Sequence, residues 1–232
     1  EWKTTPWKDI DVENMDMECK KFAKDIRGLD KEMRQWNAYT GLETTVKNML
    51  TSLRAVGELQ NSAIRERHWE QLVQATRVQF IMSEDTSLAD LLSLNLHNFE
   101  DEVHNIVDKA CKEMAMEKML RDLEVTWETM EFTHENHPRT GYNLLRASEE
   151  LIETLEENQV QLQNMMTSKF IGYFLKEISA WQKTLCLVDQ VITTWFDVQR
   201  TWSYLESIFI GSEDIRKQLP EELKEEILPK NI

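Results

Sequence analysis

Glycine and proline are scarce in this sequence, which has six glycines and four prolines among 232 residues. Average usage would supply about three times as many. Sandwiches and barrels need frequent turns, and these two residue types form many of them, so the scarcity predicts a mostly helical chain. The glycines also lie at least 13 positions apart. Gly-rich loops that bind phosphate need glycines within about six positions of each other, which excludes such a loop from this sequence.

Basic residues are outnumbered by acidic ones, 27 to 42, which gives a formal net charge of −15. A surface this acidic repels nucleic acid and anionic lipid, so neither is expected as a partner. The longest apolar run covers only residues 170–175, whereas a membrane-spanning helix needs about 20 residues. We therefore expect no membrane association.

Cysteine is rare as well, with Cys19, Cys111 and Cys186 far apart in the sequence. This spacing provides neither a Cys-x-x-C pair nor a disulfide framework, and it favours a reducing, intracellular compartment. Cys19 and Cys186 lie on apolar stripes, which predicts that both thiols are buried and inert.

Apolar residues recur in steps of three and four along much of the chain, which is the pattern of helices packed side by side. The first such segment, residues 12–36, predicts one helix. A capping box at 40–43 predicts the start of a second helix, which Gly57 would end. A further capping box at 87–90 predicts a short helix, and residues 98–130 predict a long one.

The apolar stripe of the long helix is assigned through Ala110, Met114 and Leu120. Residues 130–146 then break the helical pattern. Alternating apolar and polar residues flank a turn-like segment at 135–141, and this arrangement predicts one small β-hairpin.

In the second half of the chain, Ser148 is expected to cap a helix that is interrupted at Thr167, Ser168 and Gly172. The last long helix has large apolar residues at every seventh position, namely Phe174, Trp181, Val188, Trp195, Trp202 and Phe209. This regular aromatic row predicts a packed face, against either neighbouring helices or another domain.

A second row on this helix runs through Ile178, Leu185 and Ile192. Its next members by spacing are the polar residues Gln199 and Glu206, so we expect Val198 and Leu205 to replace them as the stripe drifts around a straight helix.

Residues with metal-binding or catalytic chemistry form no complete site in the sequence. His134 and His137 flank Glu135 near the predicted turn, and the simplest interpretation is an exposed polar hairpin tip. Four residues at helical spacing are typical of a solvated helix face and only rarely of a zinc site: His97, Asp101, His104 and Asp108. Paired glutamates such as those at 149–150 are interpreted as surface charge. No enzyme site is predicted.

Several ordered blocks of the sequence resemble the linker region of dynein heavy chains. One block contains Arg67, His68 and Trp69, and residues 112–120 match the long helix that follows. The most distinctive block covers residues 195–209 and includes Trp195, Gln199, Trp202 and Leu205. The resemblance extends over residues 5–220 and is greater to axonemal outer-arm chains than to cytoplasmic ones.

This resemblance implies a mechanical role in a motor of the ciliary or flagellar axoneme, within the cytoplasmic cytoskeleton. In the family, the linker is a bent helical rod over a ring of AAA+ modules, and it swings as the ring binds and hydrolyses ATP with magnesium. Its expected partners are that ring, the dynein tail with its associated chains and, only through a separate stalk, the microtubule. The segment itself is expected to bind no cofactor or metal.

We therefore expect an all-α, elongated stack of helical bundles with one hairpin near residues 130–146. Residues 1–147 and 148–220 would form two parts of the linker, and 221–232 a divergent or frayed tail. The interruption at Thr167, Ser168 and Gly172 is the candidate hinge. The alternative is a spectrin-like scaffold that binds partner proteins and has no motor role.

Overall fold

The structure of the protein is a computed structural model, and it describes residues 2–83, 85–146, 148–209 and 211–218. Helices dominate this part of the chain and one two-stranded sheet accompanies them, which confirms the all-α prediction. The helices are α1 (Val12–Arg27), α2 (Asn37–Leu59), α3 (Glu66–Thr76), α4 (Leu88–Ser93), α5 (Glu100–Thr129), α6 (Glu149–Met166), α7 (Leu175–Phe209) and α8 (Glu213–Gln218).

The chain divides into two compact units, Glu1–Lys118 and Met119–Ile232. The boundary that we predicted after residue 147 separates two parts of a linker and not two compact units. It therefore stays a prediction. The predicted tail, residues 221–232, lies outside the described residues.

The first unit has a core of apolar side chains from α1 to α4 and from the start of α5. Its fully buried members include Leu53, Val56, Leu72, Leu88, Leu91 and Val103. The capping box predicted at the start of α4 is confirmed, because Asp90 accepts hydrogen bonds from the backbone N–H and the hydroxyl of Ser87. These bonds also lower the pKa of the Asp90 carboxyl.

The prediction of one helix over residues 12–36 is wrong, because α1 ends at Arg27. Gly28, a poor helix former, caps the end of α1, and a 3-10 turn then leads into α2. The reversal brings Ile26 against Val46 in one buried cluster. An antiparallel helix pair thus buries more apolar surface than one continuous helix would.

The second helix also differs from its prediction at both ends. It begins at Asn37, and the hydroxyl of Thr40 donates to the carbonyl of Asn37 instead of capping the helix. Gly57 lies within α2 and does not end it. A Cβ atom at this position would come within 3.2 Å of Cγ1 of Val12, so the glycine permits close packing between α2 and α1.

In the second unit, α6 packs against α7 through buried leucines and isoleucines. Leu151, Leu155 and Leu162 of α6 are buried, as are Ile178 and Leu185 of α7. The Gln159 side chain also donates to the Leu185 carbonyl at 3.2 Å. Both helices were predicted, and both are confirmed.

The predicted hairpin is confirmed and lies between α5 and α6. Strands β1 (Thr133–Asn136) and β2 (Asn143–Arg146) pair antiparallel. Its turn is closed by a bond from the His137 N–H to the Tyr142 carbonyl. Gly141 has a φ of 72°, a left-handed conformation that glycine adopts without strain.

The predicted interruption before the last helix is also present. Helix α6 ends at Met166, and a 3-10 turn (Ile171–Tyr173) separates it from α7. The Thr167 hydroxyl donates to the Asn164 carbonyl, and the Ser168 hydroxyl accepts from the Phe170 N–H. A Cβ atom built on Gly172 meets no other atom within 4 Å, so the backbone here is unobstructed by side chains.

Candidate functional site

The Arg-His-Trp block lies at the start of α3, where His68 serves as a local cap. The Arg65 backbone N–H donates to Nδ1 of His68 at 3.0 Å. Since Nδ1 is then the acceptor, the proton of the neutral ring lies on Nε2. The imidazole is completely buried, and this burial lowers the pKa of His68.

A single carboxylate of α5 accepts bonds from two residues of this block. Glu113 is only 1 % exposed. Its Oε2 accepts from Nε2 of His68 at 3.2 Å and from Nε of Arg67 at 2.6 Å, and Nζ of Lys109 lies 3.8 Å from Oε1. A buried carboxylate requires such partners, so the cluster ties the start of α3 to the middle of α5.

The tryptophan of the block has an aromatic environment instead. Trp69 packs edge-on against Trp7 with ring centroids 5.6 Å apart, and its ring lies 6.1 Å from that of Phe80. The block thus connects α3 to two other parts of the chain: Arg67 and His68 contact α5, and Trp69 contacts Trp7 near the beginning of the chain.

Glu113 was missed by sequence reasoning, which assigned the apolar stripe of α5 to Met114. That assignment is wrong, since Met114 is exposed and Glu113 occupies the inner position. The available signal was its spacing, because Glu113 continues the three-and-four steps of Val103, Ile106 and Ala110.

We expect the protein to lose stability as the pH falls below about 6.5, because His68 is buried as the neutral imidazole. The unfolded chain binds a proton near the ordinary histidine pKa, whereas the folded chain binds it only at lower pH. Protonation therefore favours the unfolded state, by at most about 1.4 kcal/mol per pH unit. The negative charge of Glu113 raises the pKa of His68 and so opposes this loss of stability, whereas the positive charges of Arg67 and Lys109 lower that pKa and add to the loss.

Urea midpoints measured between pH 7.5 and 5.5 check this expectation. The His68→Gln variant should show a weaker pH dependence than the unmodified protein. His134→Gln, which removes an exposed histidine, is the matched control. Equal pH dependence in the two variants would contradict the assignment to His68.

The buried row of α7 continues at seven-residue intervals into polar side chains. After Ile178, Leu185 and Ile192 come Gln199, which is half-buried, and Glu206, which is 1 % exposed. The prediction that Val198 and Leu205 replace them is wrong, because both are exposed. The hairpin supplies polar partners, so the polar residues keep the inner positions.

Gln199 binds the hairpin backbone through both atoms of its amide. Its Oε1 accepts from the N–H of Leu145, and its Nε2 donates to the carbonyl of the same residue, each at 2.8 Å. The same Oε1 accepts from the indole N–H of Trp195 at 3.1 Å. The amide thereby pairs with one edge position of β2 as a neighbouring strand would.

About two turns further along α7, Glu206 binds the tip of the hairpin. Its Oε2 accepts from Nη2 of Arg139 at 2.7 Å and lies 3.7 Å from Nε2 of His137. The His137 ring packs edge-on against Trp202, at 5.1 Å between centroids. The interpretation of His137 as part of an exposed tip is wrong, since its side chain is largely buried against α7. We call the contacts of Gln199 and Glu206 with the hairpin the hairpin clamp.

The other candidate residues are dispersed. His134 is exposed on β1, and His104 pairs with Glu58 instead of joining His97. Within the described ranges, no three His, Cys, Asp or Glu side chains converge as a metal site would require. No helix in the described part of the chain has the length and apolar character needed to cross a membrane.

The two cysteines predicted to lie on apolar stripes differ in their burial. Cys19 is buried as predicted, and burial raises the pKa of its thiol. Cys186 is exposed on α7, so the prediction that it is buried is wrong. The buried row of α7 passes through its neighbour Leu185 instead.

One protein-family model matches nearly the whole chain. The family model described as dynein heavy chain, N-terminal region 2, matches residues 1–225. The chain belongs to this family. The resemblance noted in the dynein blocks of the sequence is thereby confirmed over nearly the whole chain.

Individual dynein relatives agree with the family assignment. The ciliary dynein beta chain of Tripneustes gratilla is 70 % identical over 97 % of this chain, and dynein axonemal heavy chain 17 of Mus musculus is 68 % identical over the same share. The flagellar outer-arm dynein alpha chain of Chlamydomonas reinhardtii is 41 % identical over 95 % of it.

These names confirm the axonemal assignment: the chain is an N-terminal region of an axonemal dynein heavy chain, located in the axonemal cytoskeleton. It spans only 5 % of the length of each of these dyneins. The comparisons do not favour the spectrin-like scaffold.

Proposed function

We propose that this chain is a mechanical linker segment, or lever, of an axonemal dynein heavy chain. It couples ATP-driven changes in an AAA+ ring of the same heavy chain to movement along microtubules in cilia. The ring, with its ATP and magnesium, and the microtubule-binding stalk lie outside residues 1–232. The segment itself catalyses no reaction, and its other partners are the dynein tail and the associated chains.

The observation that carries this proposal is a long helix preceded by a short break. Helix α7 has 35 residues, a length of about 52 Å at 1.5 Å per residue. Its first half packs against α6, and its second half holds the hairpin through the clamp. Such lateral contacts help a long helix to resist bending, as a lever must.

The break at residues 167–174 is the turn between α6 and α7, and its backbone is not held in an α-helix. Thr167 and Ser168 end the helical hydrogen bonding, and Gly172 has open space around it. Glycine also has the largest conformational freedom of any residue. These features support the assignment of Thr167, Ser168 and Gly172 as the hinge.

Gly172→Ala in the full heavy chain should slow microtubule gliding. Alanine fits the space but restricts the backbone, with a helical preference of about 1 kcal/mol over glycine. That energy changes a two-state equilibrium about fivefold, which is the upper bound we expect for the velocity change. Gliding assays on the purified motor measure it, with thermal melting as the check on folding.

Gly41→Ala is the matched control for this experiment. Gly41 also has open space around it, but it lies within α2, so its substitution should leave the velocity unchanged. Equal velocities for the two variants, with both folds intact, would refute the hinge.

A further inference from the structure

An apolar groove runs along the side of α7 that neither α6 nor the clamp covers. It has a volume of about 600 Å³, and the hairpin forms one of its walls through Tyr142 and Leu144. Large apolar side chains of α7 are exposed along it, namely Leu187, Val191, Trp195 and Val198. Trp195 is 54 % exposed, although its indole N–H is held by Gln199.

The groove belongs to a second apolar stripe of α7, separate from the buried row. At about 100° per residue, the four exposed residues span about 80° of the helix circumference. Leu185 and Ile192 of the buried row lie about 60° or more beyond them. A helix with two apolar stripes is typical of one that packs against two different neighbours. In the described part of this unit, α6 covers the buried row, whereas the hairpin borders the second stripe on one side and leaves its large apolar residues exposed.

The chemistry of the groove favours another helix as the missing neighbour. The exposed residues follow one another in steps of four, four and three, which is the spacing of a helix–helix seam. Of the described residues that line the groove, none is charged, and their polar groups are side-chain amides, two hydroxyls and the indole N–H groups. The complementary surface is therefore apolar with a few neutral hydrogen-bonding groups, as on an amphipathic helix.

We propose that this groove binds an amphipathic helix of the same dynein heavy chain, contributed from outside residues 1–232. The inference rests on the proposed place of the segment within a full heavy chain. The dyneins that it matches are about twenty times longer. A segment of the same polypeptide reaches the groove at an effective concentration that a free partner seldom attains.

A second copy of this segment is a poorer occupant on electrostatic grounds. Each copy has a formal net charge of −15, so two copies repel each other as they approach. A helix from elsewhere in the heavy chain can occupy the groove without bringing a second copy of this acidic segment close to the first, so it avoids this repulsion.

Photo-cross-linking in the full heavy chain tests the proposal. A benzoylphenylalanine probe replaces Trp195 in dynein assembled in axonemes, and mass spectrometry identifies the cross-linked peptides after irradiation. We expect an intrachain cross-link to a peptide outside residues 1–232. The control probe replaces Tyr204, which is 66 % exposed on α7 but lies outside the groove, and it should not label that peptide.

Three results would overturn the proposal: cross-links to residues 1–232 of a second copy, cross-links only to a different subunit, or no cross-link in the assembled motor. A cysteine probe guards against a local disturbance by the bulky probe. Val191→Cys should react with a maleimide several-fold more slowly than Tyr204→Cys in the same heavy chain, and equal rates would count against an occupied groove.

The cross-link and the gliding assay fail independently. A cross-linked helix together with unchanged gliding of the Gly172→Ala variant would leave the groove proposal standing and refute the hinge. Slow gliding of that variant without any cross-link from the probe at position 195 would support the hinge and refute the groove proposal.

Discussion

Replacing Glu113 by alanine should destabilise the first unit by about 3 kcal/mol, near the lower end of the range for breaking a buried ion pair. The substitution leaves the Nε2–H of His68 buried without its acceptor. It also leaves the charges of Arg67 and Lys109 close together without the carboxylate. Both cations are partly exposed and can turn toward water, which keeps the loss from being larger.

Hydrogen exchange followed by mass spectrometry measures this loss where it arises, in peptides from α3. The matched control is Glu117→Ala, because Glu117 pairs with Arg65 at 3.4 Å in a partly exposed position. Pairs of that kind contribute about 1 kcal/mol or less. If the two variants lose equal protection in α3, Glu113 does not hold the block together.

Replacing Gln199 by leucine should release the hairpin from α7, at a cost of about 2 kcal/mol. Leucine is similar in size but cannot bond to the N–H and the carbonyl of Leu145, and each partly buried backbone group left unpaired costs about 1 kcal/mol or more. The Leu145 amide should exchange faster, and a protease should cut the turn at residues 137–141 sooner.

Gln190→Leu is the control for the clamp, since it makes the same change on an exposed position of the same helix. It should alter stability by no more than about 0.5 kcal/mol. Unchanged exchange of Leu145 in the Gln199→Leu variant would show that Glu206 alone holds the hairpin.

Much of the fold was predictable because its signals are local. Ser87 and Asp90 cap α4 through atoms three residues apart, and the hairpin follows from alternation on both sides of a turn that contains Gly141. The break at Gly172 is likewise marked by nearby residues. Such features depend on a few neighbouring positions, which the sequence displays directly.

The polar core positions were not predictable by the same route. In α5 and again in α7, we assigned the buried stripe to the nearest apolar residue when the regular spacing met a polar one. The structure keeps the regular spacing, with Glu113 and Glu206 buried and Gln199 half-buried. Their partners come from distant parts of the chain, such as Arg67 for Glu113 and the hairpin for the other two, and hydrophobic periodicity contains no information about these partners.

The hairpin clamp has a consequence for how the second unit folds. An isolated two-stranded hairpin is at best marginally stable in water, and the clamp joins residues 54 to 69 positions apart. The strands therefore gain lasting order only after the intervening chain has formed α6 and turned back into α7. The amides of the hairpin and those of the C-terminal end of α7 should become protected from hydrogen exchange together, late in refolding. This order is expected even though the hairpin turn joins residues that are close in the sequence.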